Sequence, residues 1–357
     1  MAAAVAADAA VAESGLVIPD RQLIDFSEFL HPSSPHGRRA TADAILHGFQ
    51  TAGFVYLKNH PIPAATLQTA FARSADFFAL PDEAKRALAW DSPVANRGYS
   101  SLGREKVTQL ADAAAVDALR TAAPDLKESL EIGRDDEAGH PNKWPREQAQ
   151  DQDQGQDQDQ QKQQIRAGFH ADMMRFFHLC RRLHLDVMRA VALGMGLDEE
   201  FFDPFLHVGD NTLRLLHYPG VKADVFRANP GQVRAGEHSD YGSITLLFQD
   251  SRGGLQVRSP TGHFVDATPI PGTIVVNAGD LLARWSNDTI KSTIHRVVEP
   301  PRDEEEHPPR YSIAYFCNAN FASNVDTLPG TYASESDKKY EQINVGQYLA
   351  QRLAATY

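Results

Sequence analysis

The stretch Gly236–Asp250, GEHSDYGSITLLFQD, sets His238 and Asp240 two residues apart just before an apolar run. Side chains at i and i+2 leave an extended backbone on one face. The spacing predicts an imidazole and a carboxylate side by side on a strand. Such a pair can hold a metal, relay a proton or line a polar rim, and the surrounding sequence has to decide among these.

Around this stretch, after Pro219, short strands alternate with turns. Ser243–Phe248, Leu255–Val257, Thr273–Val276 and Tyr311–Phe316 read as strands, broken at Arg252–Gly254, Pro260–Gly262, Pro271–Gly272 and Asn277–Gly279. Even spacing of this kind predicts an antiparallel sandwich or jelly roll. Before Pro219 the period is helical. Phe169, Met173, Phe176, Cys180, Leu183, Val187 and Val191 step by three or four residues within Ile165–Met195. They predict one long helix with an apolar stripe. Helices are also expected over Thr41–Gln50, with Gly53 as the stop, and over Ala65–Leu80; Leu23–Phe26 and Phe54–Leu57 read as short strands. The fold class is α+β, a jelly-roll core with flanking helices.

A third candidate ligand is His295, in the strand-like STIHRVV over 292–298. Two histidines and one carboxylate on adjacent strands are the donor set of the facial triad of non-haem Fe(II) oxygenases. Fifteen residues on, Arg310 and Ser312 share a strand face. A guanidinium fork beside a hydroxyl makes a carboxylate receptor. A dicarboxylate could chelate the metal at one end and be clamped there at the other. The competing reading pairs Arg310 with a surface acid among Glu304–Glu306. His60, His207, His217, His263 and His307 have no partner at ligand spacing, and Glu237 should face away from the metal.

In order and spacing, His-x-Asp…His…Arg-x-Ser resembles the 2-oxoglutarate-dependent Fe(II) dioxygenases of the isopenicillin N synthase-like group. Leu23–Phe26 and Gly53–His60 look like that family's N-terminal region. The resemblance implies a double-stranded β-helix core, Fe(II) on His238, Asp240 and His295, and the far carboxylate of 2-oxoglutarate on Arg310 and Ser312. Tyr218 falls at the family's Asn-Tyr-Tyr-Pro position and should support the same carboxylate, whereas Leu216 stands where many members have Asn. O2 is the further co-substrate, and ascorbate the expected reductant.

Within the family, ANRGYS (95–100), GREKVTQL (103–110), DLKES (125–129), RAGEHSDY (234–241), DLLARWSN (280–287) and QRLAATY (351–357) look like the thymine dioxygenase branch. That resemblance implies a free pyrimidine base sandwiched by Phe316 and Tyr241, with Arg214 on its edge and Asn211 as a further polar contact. Plain core packing for Phe316 and a rim ion pair for Arg214 are the alternatives. The implied reaction hydroxylates the 5-methyl group of thymine, then carries it to 5-formyluracil and 5-carboxyuracil. The alternative is another small aromatic or secondary-metabolite substrate.

The chain of 357 residues, 42% hydrophobic, has ample material for a core. Its 35 Lys+Arg against 47 Asp+Glu leave a charge of −12 with no basic stripe, which argues against a nucleic-acid partner. Two cysteines fit a reducing compartment. No apolar run approaches the roughly 18 residues of a membrane span. A cytosolic monomer is expected. The chain divides into a flexible tail over 1–20, an N-terminal region over 21–147, a Gln/Asp-rich insert over 148–164 and the catalytic region over 165–357. The insert can bury almost nothing and reads as an expanded surface loop.

Overall fold

The computed structural model describes residues 23–90, 96–105, 123–148, 162–229, 231–299 and 305–354. The expected tail and most of the insert lie outside them, as do parts of the stretches at 95–100, 103–110 and 351–357. Gln148 and Ile165 are hydrogen-bonded backbone to backbone at 2.9 Å, so the chain leaves for the insert and returns from it at one place.

The elements are β1 (Leu23–Asp25), α1 (Gly37–Thr51), β2 (Phe54–Lys58), α2 (Ala64–Phe78), β3 (Gly98–Ser100), β4 (Glu128–Ile132), α3 (Phe169–Gly194), β5 (Thr212–Tyr218), β6 (Ala235–His238), β7 (Ile244–Gln249), β8 (Leu255–Arg258), β9 (Phe264–Asp266), β10 (Thr273–Ala278), α4 (Asp280–Trp285), β11 (His295–Val297), β12 (Arg310–Cys317) and α5 (Val345–Ala354), joined by shorter pieces. An eight-stranded sheet runs β1-β2-β10-β7-β12-β5-β4-β3, and a four-stranded sheet runs β9-β8-β11-β6.

Strand alternation divides the core in two. From the large sheet, Val55, Leu57, Leu213, Leu215, Ile274, Val276, Ile313 and Tyr315 join the cluster that contains the stripe of α3. Their neighbours Phe54, Tyr56, Leu216, Tyr218, Val275 and Ala314 instead pack with Ala235, Leu255, Val257 and Val297 of the small sheet. The large sheet is thus apolar on both faces, and its strands read as continuous hydrophobic runs. The functional residues of β5 and β12 share the parity that looks toward the small sheet.

Two boundaries differ from the sequence reading. The long helix starts at Phe169 rather than Ile165, because Gly168 takes φ +93° and the Glu147 carboxylate accepts the Gly168 and His170 N–H groups, at 2.8 and 2.9 Å. This carboxylate satisfies donors that a helix start leaves orphaned. Strand β10 runs on to Ala278, past the expected break, because Asn277 pairs with Thr245 across the ladder. Gly53 does end α1, with φ +73° and its N–H on the Gly48 carbonyl at 3.0 Å. Among the described residues, no helix is long and apolar enough to cross a membrane.

One buried group in this layer makes the fold acid-sensitive. His184 of α3 is 1% exposed; one ring nitrogen meets Ser243 Oγ at 3.1 Å and the other has no protein partner among the described residues. Burial, helped by Arg181, pulls its pKa from 6.5 down to about 3. The unfolded chain takes up this proton below about pH 6.5, while the folded chain resists until about pH 3. Stability is therefore lost as pH falls through that window, by about 2 kcal/mol at pH 5. His184→Gln should flatten the dependence of the urea midpoint on pH between 7 and 5; an unchanged slope would refute the assignment.

Candidate active site

The metal candidates are brought together from two strands and a loop. In the antiparallel pairing of β6 and β11, His238 and His295 are direct partners. Their ring centroids lie 4.3 Å apart. Asp240 is not on a strand as expected: β6 ends at His238, and the chain turns before β7 begins. The turn carries the carboxylate to the imidazoles, with Asp240 Oδ1 3.8 Å from His295 Nε2. Gly242 permits the turn, since a Cβ there would strike the Cys317 carbonyl.

The remaining polar atoms of the three side chains are already committed. His238 Nδ1 donates to the Gly236 carbonyl at 2.7 Å, and His295 Nδ1 to the Thr293 carbonyl at 3.2 Å. A carbonyl only accepts, so each Nδ1 carries a proton and each Nε2 is the nitrogen left to face a metal. Asp240 Oδ2 accepts from Thr245 Oγ1 at 2.6 Å and Asn277 Nδ2 at 2.7 Å, leaving Oδ1 free. One ligand atom from each residue lies within 4.8 Å of the others. Desolvation, then His295, pulls the His238 pKa down to about 3, so the ring is neutral. Burial works to raise Asp240, but the two imidazoles, Asn277 and Thr245 outweigh it and hold the carboxyl below its usual range. Two imidazole nitrogens and one carboxylate oxygen suit a divalent metal, and the residues fit Fe(II). Glu237 faces away, paired with Arg258 at 2.8 Å and Arg296 at 3.1 Å.

Arg310 is 1% exposed, and among the described residues no carboxylate pairs with it. Its partners are the Gly253 carbonyl at 2.9 Å, Ser312 Oγ at 3.2 Å and Gln249 Oε1 at 3.4 Å. Its guanidinium lies 4.8 Å from the ring centre of Tyr218, its direct ladder partner. Glu305 and Glu306 are exposed and do not serve it, while Glu304 lies outside the described residues. A buried guanidinium without a protein anion, flanked by a hydroxyl, fits the far carboxylate of 2-oxoglutarate.

Beside the triad a recess is lined by Asn96, Glu105, Arg214, Tyr241, Phe316 and Leu349, among others. Arg214 is 5.3 Å from the Phe316 ring centre, and Arg352 of α5 lies 4.6 Å from that of Tyr241. Arg214 lines the recess and is also held by ion pairs, to Glu131 at 2.7 Å and Glu105 at 3.2 Å. Asn211 is not at the base pocket as the resemblance implies. It stands one residue before β5, out of phase with Thr212 and Arg214, and it does not line the recess. Its Nδ2 donates to Tyr315 Oη at 3.0 Å, and its Oδ1 accepts the Asn318 N–H at 2.8 Å. Asn318, whose N–H it accepts, is the asparagine that lines the recess on that side. His217 projects the other way, to Glu128 at 2.7 Å, and His307 pairs with Glu299 at 2.6 Å.

The comparisons agree with this geometry. A family described as the non-haem dioxygenase in morphine synthesis N-terminal matches residues 22–150, and the 2OG-Fe(II) oxygenase superfamily matches residues 209–319. The 2-oxoglutarate-Fe(II) type oxidoreductase ppzD of Metarhizium rileyi is 36% identical, covering 95% of this chain and 92% of its own. The proline hydroxylase buaE of Petromyces alliaceus is also 36% identical, covering 94% of this chain and 98% of its own. The structure of the full-length thymine-7-hydroxylase of Neurospora crassa, in complex with alpha-KG and thymine, is 63% identical with a TM-score of 0.85, covering 97% of this chain and 98% of its own. This chain belongs to the 2-oxoglutarate- and Fe(II)-dependent oxygenases.

Proposed function

We propose that the protein oxidises the 5-methyl group of free thymine to 5-hydroxymethyluracil, and then to 5-formyluracil and 5-carboxyuracil. Each round consumes one O2 and converts one 2-oxoglutarate to succinate and CO2. The observation that carries this reading is the recess beside the triad, where a guanidinium and two aromatic rings from Arg214, Tyr241 and Phe316 converge. A flat ring with carbonyl and N–H edges needs such faces and planar donors. The likeness to the Neurospora thymine-7-hydroxylase supports it. The two facing sheets are read as a double-stranded β-helix, and the acidic chain as a cytosolic monomer with no nucleic-acid partner and ascorbate as reductant.

Bound iron supplies the activation of O2. The chain's own residues do the rest: His238, Asp240 and His295 would hold the metal, and Arg310, Ser312 and Tyr218 would orient the keto-diacid. Arg214, Tyr241 and Phe316 would position the base, while Leu349 and Leu353 of α5 close the recess with apolar surface and exclude water. Thymine should stimulate succinate release in step with 5-hydroxymethyluracil formation. Stimulation by another small aromatic or a cyclic amino acid, with none by thymine, would transfer the assignment to the secondary-metabolite relatives. Arg310→Lys should weaken 2-oxoglutarate binding about tenfold, since a point charge cannot replace the fork. Anaerobic titration of the Fe(II) protein checks this, and an unchanged affinity would remove Arg310 from the site.

A further inference from the structure

Arg234 is fully buried, at 0% exposure, four residues before the ligand His238. Its backbone N–H joins the small sheet through the Val297 carbonyl at 2.8 Å. Its guanidinium is poorly served: Nη2 reaches the Pro308 carbonyl at a long 3.4 Å, and Nε and Nη1 have no protein partner among the described residues. Buried donors left unmade are costly, and those of a cation more so. The charges acting on it are Arg310 first, then Tyr218, Asp250 and Glu299. The two acids are engaged elsewhere. Asp250 accepts the Arg252 and Tyr311 N–H groups at 2.9 and 2.7 Å, and Glu299 pairs with His307.

Pro308, whose carbonyl Arg234 reaches, stands two residues before Arg310, so two buried guanidinium groups are brought to one end of β12, with no carboxylate of the protein paired to either among the described residues. Like charges in a desolvated site repel, and the pair becomes favourable once an anion shares it. Burial and Arg310 pull the Arg234 pKa from 12.5 down to about 10, the direction expected of a cation awaiting its counter-ion.

We propose that Arg234 is a second guanidinium of the co-substrate site, acting with Arg310 on the carboxylate of the keto-diacid remote from the metal. The inference rests on the 2-oxoglutarate reading and adds a residue to it. Within it, Arg310 and Ser312 fix the carboxylate geometrically, and Arg234 supplies the second positive charge. Selection follows: the site should favour a keto-diacid over a keto-acid that has a methyl group at the far end.

The test is binding, not turnover. Anaerobic Fe(II) protein is titrated with 2-oxoglutarate and with 2-oxovalerate, which keeps the metal-chelating end and lacks the second carboxylate. Arg234→Gln should weaken 2-oxoglutarate about ten- to a hundredfold and 2-oxovalerate less than about twofold, the loss expected for one charge-assisted hydrogen bond. Arg234→Lys should recover part of the difference and serves alone if the glutamine variant does not fold. Equal loss for both acids, or for neither, would overturn the proposal and leave Arg234 a structural group. Arg310→Gln runs beside it: if that variant also fails to separate the two acids, the 2-oxoglutarate reading of the site falls as well.

Discussion

His238→Ala is expected to abolish turnover and leave the chain folded. The imidazole is only partly buried, at the end of a four-residue strand, and supports no apolar cluster. Its protein hydrogen bond, to the Gly236 carbonyl, is local. The stability change without metal should stay within about 1 kcal/mol. Metal affinity is another matter. Loss of a partner that merely orients a ligand costs about ten- to a hundredfold, so loss of the ligand itself should exceed a hundredfold. Wild-type protein should gain thermal stability from Fe(II) by mass action, and the variant should gain almost none at the same concentration. A folded alanine variant that binds Fe(II) as tightly as wild type would remove His238 from the metal site.

The triad is legible in the sequence because His238 and Asp240 stand two residues apart and His295, followed by Arg310 and Ser312, sits in a strand-like run of its own. The strands at 243–248, 255–257, 273–276 and 311–316 are legible for a similar reason, since runs bounded by glycine and proline mark themselves locally. Geometry that depends on the tertiary fold is not. His238 and Asp240 converge as expected, but through a turn that Gly242 allows, not through a shared strand face. Nearness to Arg214 in sequence suggests a substrate role for Asn211, yet a phase change of one residue sends it behind the pocket wall. Glu105 and Asn96 carry no periodic signal, and only folding brings them to the recess. Asn277 is different: an amide closing the apolar run Ile274–Val276 signals a buried polar task, and it hydrogen-bonds Asp240.

Arg214→Met should cost both stability and substrate binding, and the two losses can be separated. Arg214 bridges Glu131, 0% exposed, and Glu105, 4% exposed. Removing one member of a buried ion pair strands its partners, at about 3–5 kcal/mol. Burial already raises the Glu131 pKa against the opposing pull of Arg214. Without the guanidinium it should rise further. A carboxyl whose folded pKa lies above its unfolded value takes up its proton first in the folded state, so its penalty is largest at high pH and shrinks as pH falls. The variant's deficit in urea midpoint should accordingly be smaller at pH 5.5 than at pH 8. Glu105 keeps Lys127 at 3.3 Å and strands less completely. Adding Glu131→Gln to Arg214→Met removes the stranded charge and should restore about half of the lost stability. It should restore none of the thymine affinity, because the planar donor facing Phe316 is still missing. If the double variant recovers substrate binding along with stability, Arg214 serves only as the clamp of a buried acid pair, and the base is held by other groups.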